Sequence, residues 1–185
     1  MRFLFLDRIL EVEPAKRILA TKLINMGDGY LVPHPSGRPA MPASILLECL
    51  AQTGGDLNLL THGLRTQTFL IMAEGFKLRR QPHVGELLQL DMRMERVHDA
   101  GASMEGVVRS GSELIATLGR MMYVHRQVDD LTYVRRQQGR MRALLASPDI
   151  LDTLPPVPGL DPVPVRVSVP AEPAAEPAAV LQTAG

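Results

Sequence analysis

The sequence contains little cysteine, few aromatic residues and no excess of charge of either sign. Its 185 residues include one cysteine, Cys49, and no tryptophan, and 20 basic residues balance 20 acidic ones. A single cysteine excludes a disulfide framework within the chain and favours a reducing, cytoplasmic location. Balanced charge and an aromatic content of 4% give no indication of nucleic acid as a partner, because nucleic-acid binding needs basic patches and stacking platforms.

Long apolar runs are also missing. No stretch approaches the ~20 apolar residues that a membrane-spanning helix needs, so we expect no span. Near the N-terminus, Asp7 ends an apolar run that is too short for a signal peptide. The overall content of 45% apolar and 22% charged residues is typical of a globular protein.

The composition changes near residue 150. Residues 153–185 contain eight prolines, many alanines and few large apolar side chains. Proline fixes its own backbone and lacks an N–H donor, so this segment is not expected to form a helix or a strand. We predict one domain over residues 1–150 and a disordered tail over residues 151–185, which serves either as a passive extension or as a tether or docking strip.

The sequence pattern of the folded part predicts strands around one apolar helix. Turn signals separate the segments, and one segment, from Leu88 to Glu95, alternates apolar and polar residues with a period of two. Runs of strands with one buried helix indicate an α+β fold with an antiparallel sheet. The predicted strands are Leu6–Glu13, Lys16–Ile24, Leu88–Glu95, Ser103–Arg109 and Leu114–Val124, and the predicted helices are Pro42–Leu60 and Asp130–Ala146.

The first predicted helix carries a polar stripe within an apolar surround. Ser44, Glu48 and Gln52 are spaced by four residues and therefore share one line along the helix. If the helix is buried, Glu48 lies in a low dielectric that favours its protonated form, and it becomes a candidate acid. Gln52 is placed to hydrogen-bond it. The alternative is a boundary glutamate that reaches solvent or pairs with an arginine.

A proline- and glycine-rich loop before this helix contains His34. The loop, HPSGRPAMP over residues 34–42, is dense in residues that fix the backbone, and it ends at the N-terminus of the helix. Unpaired N–H groups and the positive end of the helix dipole can polarise a carbonyl oxygen there. A histidine base, a glutamate acid and backbone donors are suited to removing a proton beside a carbonyl. The alternative is an ordinary surface histidine.

These motifs resemble those of the bacterial 3-hydroxyacyl-[acyl-carrier-protein] dehydratases. The pattern His34-x-x-Gly37-x-Pro39-x-Met41-Pro42, followed by Glu48-x-x-x-Gln52, is similar to the family's His-Phe-Pro-Gly-x-Pro-x-Met-Pro-Gly loop and Leu-Glu-Ala-x-Ala-Gln helix. The opening residues 5–14 and the segments 78–80 and 85–86 also resemble family segments. The resemblance covers about residues 2–126.

The resemblance implies a hot-dog fold, in which a bent antiparallel sheet wraps a long central helix. It also implies a homodimer, or a hexamer built from dimers, in which the histidine of one chain faces the glutamate of the other. The substrate would arrive on the phosphopantetheine arm of acyl carrier protein. His34 would remove the proton beside the thioester carbonyl, Glu48 would protonate the leaving 3-hydroxyl, and the N–H of Ala43 or Ser44 would stabilise the enolate oxygen. No metal or other cofactor is implied.

The loop departs from the family pattern on both sides of His34. Pro33, Pro35, Ser36 and Ala43 stand where the family has Gly, Phe, Pro and Gly. The departures leave His34, Glu48 and Gln52 unchanged, and they are compatible with a specialised lipid or polyene pathway. Two alternatives stay open: a hot-dog thioesterase, and a non-catalytic hot-dog subunit that binds an acyl chain.

The remaining candidates are interpreted as structural. His62, His83, His98 and His125 are expected at the surface, and no pair has metal-ligand spacing. Cys49 is expected to pack as a small apolar residue. The basic second helix is expected to present a solvated face, with docking of an acidic carrier protein as the alternative. The residues of that possible patch are Arg135, Arg136, Arg140 and Arg142, with Lys77, Arg79 and Arg80.

Overall fold

The computed structural model describes residues 4–154. It contains seven strands and two α-helices in this part of the chain: β1 Arg8–Glu13, β2 Arg17–Leu23, α1 Ala43–Thr61, β3 Thr66–Glu74, β4 Lys77–Leu78, β5 Leu87–His98, β6 Gly101–Ser110, β7 Glu113–Gln127 and α2 Leu131–Leu144. A short 3₁₀ helix follows over Pro148–Thr153. None of the described helices is long and apolar enough to cross a membrane.

The strands form one antiparallel sheet in the order β1-β2-β5-β6-β7-β3, with β4 paired to β7. The predicted period of two in β5 is confirmed, because Leu88, Leu90 and Met92 are buried while the residues between them are more accessible. The buried side of the sheet packs against α1. The predicted α+β class with an antiparallel sheet and a central helix is confirmed.

Close contacts hold α1 against the sheet. A Cβ added at Gly54 would lie 2.5 Å from the hydroxyl oxygen of Tyr123, so only glycine allows this approach. The same hydroxyl donates to the carbonyl of Ala51 at 2.7 Å. Together these contacts fix the height and rotation of α1 over β7, and therefore decide which face of α1 stays open.

Two strands are not among the predicted elements. β4 has only two residues, and β3 combines a polar start with the continuous apolar run Phe69–Met72, which shows no alternation. β3 lies at an edge of the sheet, where Phe69, Leu70 and Ile71 are exposed.

The helix predicted over residues 130–146 is present as α2. Asp130 caps it by accepting a hydrogen bond from the N–H of Thr132 at 2.8 Å. After α2, Leu151 and Leu154 pack against the core, so ordered packing continues past residue 150. The predicted Pro- and Ala-rich tail lies outside the described residues from residue 155 onward.

Candidate active site

The polar stripe of α1 lies on the open face of the helix. Ser44 and Glu48 are exposed and Gln52 is half-buried, whereas Leu46 and Leu50 are completely buried against the sheet. The prediction that Glu48 is buried in an apolar surround is therefore wrong for the single chain. The physical reason is that a sheet covers one face of a helix, and the opposite face needs another element or another chain to cover it.

Gln52 fixes the side chain of Glu48. Its Nε2 donates to Glu48 Oε1 at 3.0 Å, and its Oε1 accepts the backbone N–H of Phe5 at 2.9 Å. Because a backbone N–H can only donate, the amide oxygen must face Phe5, and the amide nitrogen is left to face Glu48. The hydrogen bond expected from the four-residue spacing is present, and the N-terminal segment sets its direction.

A partly buried polar cluster anchors this N-terminal segment and the start of the His34 loop. The ring of Tyr30 packs edge-on against Phe5, and its hydroxyl donates to Asp28 Oδ2 at 2.5 Å. Lys22, which is buried, lies 3.3 Å from the same carboxylate. Burial alone would raise the pKa of Asp28, but the hydrogen bonds that it accepts and the charge of Lys22 hold this pKa below its ordinary value. The loop therefore begins at a fixed, charged anchor.

His34 lies in a tight turn within this loop. Val32 and Ala40 pair in an antiparallel bridge, and the carbonyl of His34 accepts the N–H of Gly37 at 2.9 Å. Gly37 has a φ of +79°, in the left-handed region that glycine adopts without steric cost. The role of Gly37 at this position is therefore to shape the turn that presents His34.

The imidazole of His34 contacts Ser36 on one side and His83 on another. Its Nδ1 lies 2.9 Å from Ser36 Oγ and 3.2 Å from the N–H of Ser36. The ring of His83 meets it edge-on, with 4.6 Å between centroids, and His83 Nδ1 lies 3.2 Å from the carbonyl oxygen of Arg38. His83 lies in a loop and is partly exposed, as expected, and the bridge between Ala40 and His83 brings it against the His34 loop. No sequence spacing indicates that bridge.

The N-terminus of α1 offers backbone donors. Pro42 caps α1 in an extended conformation without a side-chain hydrogen bond, and its carbonyl accepts the N–H groups of Ile45 and Leu46, both at 3.1 Å. The N–H groups of Ala43 and Ser44 come earlier and have no acceptor within the helix. The first turn of α1 contains no acidic residue, so these donors and the positive end of the dipole can polarise an oxygen atom.

Glu48 borders a groove of about 960 Å³. The groove is bounded mainly by α1, β3 and α2, and Tyr123 of β7 and Leu4 complete its wall. The lining residues of the three main elements include Glu48, Gln52, Gly55, Asp56 and Leu59 of α1, Thr66, Thr68 and Leu70 of β3, and Tyr133, Arg136, Gln137 and Arg140 of α2.

An ion pair fastens α2 over the C-terminal half of α1. Asp56 is 3% exposed and accepts two hydrogen bonds from the guanidinium of Arg140, one of them at 3.2 Å. Burial raises the pKa of Asp56, and the charge of Arg140 opposes that shift.

Arg80 is also held in ion pairs, since it binds both Glu86 and Glu113. Arg80 and Arg140, two arginines of the possible docking patch, therefore have structural partners.

The remaining expectations concern Cys49, the histidines away from the loop and metal binding. Cys49 is buried, and this burial raises the pKa of its thiol to about 12, so the thiol stays protonated and packs as an apolar group, as predicted. His62 and His125 contact each other edge-on, with 4.6 Å between ring centroids. His62 is partly exposed, whereas both ring nitrogens of His125 are buried, so the surface assignment is wrong for His125. No cluster of three or more potential metal ligands occurs within residues 4–154.

Within one chain, His34 and Glu48 belong to separate surroundings. The imidazole of His34 hydrogen-bonds to Ser36, whereas the carboxylate of Glu48 hydrogen-bonds to Gln52. His34 does not line the groove that Glu48 borders. No hydrogen bond or ion pair within residues 4–154 links the two side chains.

Comparison with known proteins identifies dehydratases among the relatives of this chain. The model of the FabA-like domain matches residues 1–117. The 3-hydroxyacyl-[acyl-carrier-protein] dehydratase FabZ of Roseiflexus sp. (strain RS-1) is 32% identical over 122 residues, which cover 65% of this chain and 85% of the relative. The enzyme of the same name from Chloroflexus aggregans is 36% identical over 97 residues, covering 51% of this chain and 67% of the relative.

Solved structures of low sequence identity share the architecture. The dehydratase heterocomplex ApeI:P from Xenorhabdus doucetiae matches with a TM-score of 0.53 and 14% identity, over 73% of this chain and 89% of the matched chain. The smu.793 protein from Streptococcus mutans, bound to acetyl CoA, matches with a TM-score of 0.52 and 12% identity, over 66% and 90%. These matches confirm the predicted hot-dog fold.

Proposed function

This chain belongs to the family of FabA-like domains, and we propose that it dehydrates 3-hydroxyacyl groups carried on acyl carrier protein, with His34 as base and Glu48 as acid. It is accordingly a hydro-lyase, and its product is a trans-2-enoyl thioester of fatty acid or related lipid synthesis. The observation that carries the assignment of the acid is the Phe5–Gln52–Glu48 hydrogen-bond chain, because it aims a carboxyl group into a groove large enough for a substrate.

His34 acts as the base through Nε2. Ser36 occupies the Nδ1 side of the ring, and Ser36 Oγ accepts from the N–H of Arg38 at 3.4 Å. The backbone N–H of Ser36 donates to Nδ1 and can only donate, so the neutral ring in this arrangement carries its proton on Nε2. Action as the base therefore requires the other tautomer, in which Nδ1 donates to the lone pair of Ser36 Oγ and Nε2 takes the proton from C2 of the substrate. Positive charge that develops on the ring is then stabilised by the hydroxyl of Ser36.

Glu48 completes the elimination. As the C2–H bond breaks, negative charge moves to the thioester oxygen, where the N–H groups of Ala43 and Ser44 stabilise it. The C3–O bond then breaks, Glu48 donates its proton to the leaving hydroxyl to form water, and the electron pair forms the C2–C3 double bond. Glu48 must start protonated. This condition requires a covered, low-dielectric site, which a partner subunit supplies.

The proposed assembly is a homodimer that pairs through β3. A long edge strand with exposed Phe69, Leu70 and Ile71 presents both unpaired backbone groups and apolar side chains. Pairing with a second copy would cover them and place a partner against the open face of α1. His34 of one subunit then faces Glu48 of the other. Hexamers built from such dimers, a domain boundary near residue 150 and a cytoplasmic location complete the proposal.

A dehydration assay tests the function. Purified protein is mixed with a 3-hydroxyacyl-acyl carrier protein, and the products are separated and identified by mass. Enoyl product supports the proposal. Free carboxylic acid would instead identify a thioesterase, and the absence of any turnover across chain lengths would indicate a subunit that only binds acyl groups.

A further inference from the structure

We propose that the groove between α1 and α2 holds the distal end of the acyl chain and selects chains that end in a carboxylate, which Arg136 binds. This inference rests on the proposed function, because it assigns a substrate class to the same site. The residues that support it lie at the far end of the groove, away from the reacting atoms. The wall there is formed by α2, which follows the residues that match the family model, 1–117.

The groove extends from the reacting centre along one face of α1. Glu48, Gln52 and Asp56 are spaced by four residues and all line it. Eight residues of helix separate Glu48 from Asp56, which corresponds to ~12 Å along the helix axis. A substrate whose 3-hydroxyl lies at Glu48 therefore has its distal acyl carbons beside Asp56 and α2.

The groove beyond Glu48 mixes apolar and polar side chains. Leu59 of α1 and Ala143 and Leu144 of α2 offer contacts to the methylene groups of an acyl chain. Gln137 and Arg136 of α2 line the same groove, and a methyl end placed against them would remove water from polar groups without replacing their hydrogen bonds. The lining is thus suited to an acyl chain with a polar end.

The two arginines of this wall differ in their partners. Arg140 is neutralised by Asp56, and its Nε donates to Gln137 at 3.1 Å. Arg136 is exposed and has no hydrogen bond or ion pair with any residue from 4 to 154. Among the residues that the structure describes, nothing neutralises this positive charge beside the groove. A guanidinium binds a carboxylate with two parallel hydrogen bonds, so the complementary substrate group is an anion.

The experiment compares two 3-hydroxyacyl thioesters of equal chain length, one ending in a methyl group and one in a carboxylate. Both are linked to N-acetylcysteamine, which lacks a phosphate, so any anion recognised must belong to the acyl chain. We expect the wild type to prefer the carboxylate. Arg136→Gln should lower kcat/KM for the carboxylate about 10- to 100-fold, as expected for loss of a charged hydrogen bond, and should leave the methyl substrate unchanged.

Arg135→Gln is the matched control, because Arg135 is the neighbouring exposed arginine of α2 but does not line the groove. It should leave the preference intact. Equal use of both substrates by the wild type, or a preference that survives Arg136→Gln, would overturn the inference while leaving the dehydratase function standing. The same acyl groups carried on phosphopantetheine are assayed in parallel, and a loss in Arg136→Gln confined to these substrates, whatever their acyl end, would overturn it by assigning Arg136 to the phosphate. No enoyl product from any thioester would contradict the proposed function itself.

Discussion

Gln52 donates a hydrogen bond to the carboxylate of Glu48 from one helical turn away, at 3.0 Å, and the N–H of Phe5 prevents the amide from turning over. We predict that Gln52→Leu lowers kcat roughly 10- to 100-fold, because the carboxylate that forms as Glu48 gives up its proton would lose this hydrogen bond, and a hydrogen bond to a charged group contributes about 1.5–3 kcal/mol. KM should change little, since Gln52 acts through Glu48. Steady-state kinetics and thermal melting check this, with Gln127→Leu at the exposed end of β7 as the control. A clear fall in melting temperature accompanying the fall in kcat would indicate a merely structural role for Gln52.

The buried pair Asp56–Arg140 should dominate the attachment of α2. Arg140→Met leaves a carboxylate that is 3% exposed without its cation, so we predict a loss of about 3 kcal/mol in the free energy of unfolding. Adding Asp56→Leu should recover most of this loss. Arg65→Met provides the control, because its partner Asp129 is exposed and such pairs contribute about 0–1 kcal/mol. Denaturant titration measures all four proteins, and an absence of recovery in the double variant would contradict the account.

His125 should make the fold sensitive to mild acid. Burial, and then the neighbouring His62, lower the pKa of His125 below its ordinary value of 6.5. The unfolded chain therefore binds a proton more readily than the folded one, so stability is full above pH 6.5 and falls as the pH drops towards the folded-state pKa. His125→Phe should flatten this part of the profile. The pKa values of Asp28 and Glu86 are lowered from 3.8 and 4.5, so their effects appear in stronger acid. Denaturant midpoints across this pH range test the prediction, and identical profiles would refute it.

The β3 edge should control assembly. We predict that Ile71→Lys, which places a charge at a side chain that is 56% exposed in the single chain, converts the dimer to monomers and removes activity. Leu87→Lys is the control, since Leu87 is 51% exposed but belongs to a strand inside the sheet. Light scattering after size-exclusion chromatography gives the mass. A fully active Ile71→Lys monomer would contradict a shared site.

The sequence predicts features that depend on local spacing and misses those that depend on a second surface. The alternation in β5 and the four-residue spacing of Glu48 and Gln52 appear as expected. β3 is missed because its apolar run shows no period, as expected for a strand with accessible apolar residues on both faces. The exposure of Glu48 is missed for a related reason. The apolar surround of Glu48 in the sequence predicts that the side chain is buried, but it does not show whether the same chain or a second chain buries it.

The sequence does not predict the contact between His34 and His83, for a different reason. It depends on a bridge between residues that are 43 positions apart in the sequence, Ala40 and His83, and neither is part of a regular strand. Isolated bridges between loops leave no periodic pattern, so only the folded chain can reveal them.

The most direct test of the central claim is to measure dehydration by a mixture of two inactive variants. His34→Ala and Glu48→Gln should each lower the rate by roughly 10²–10⁴-fold when assayed alone. After equal mixing and subunit exchange, half of the dimers contain one of each chain, and one of their two sites has both wild-type residues. We predict recovery of about a quarter of the wild-type activity. No recovery, with exchange demonstrated by mass, would contradict a site shared between His34 of one subunit and Glu48 of the other.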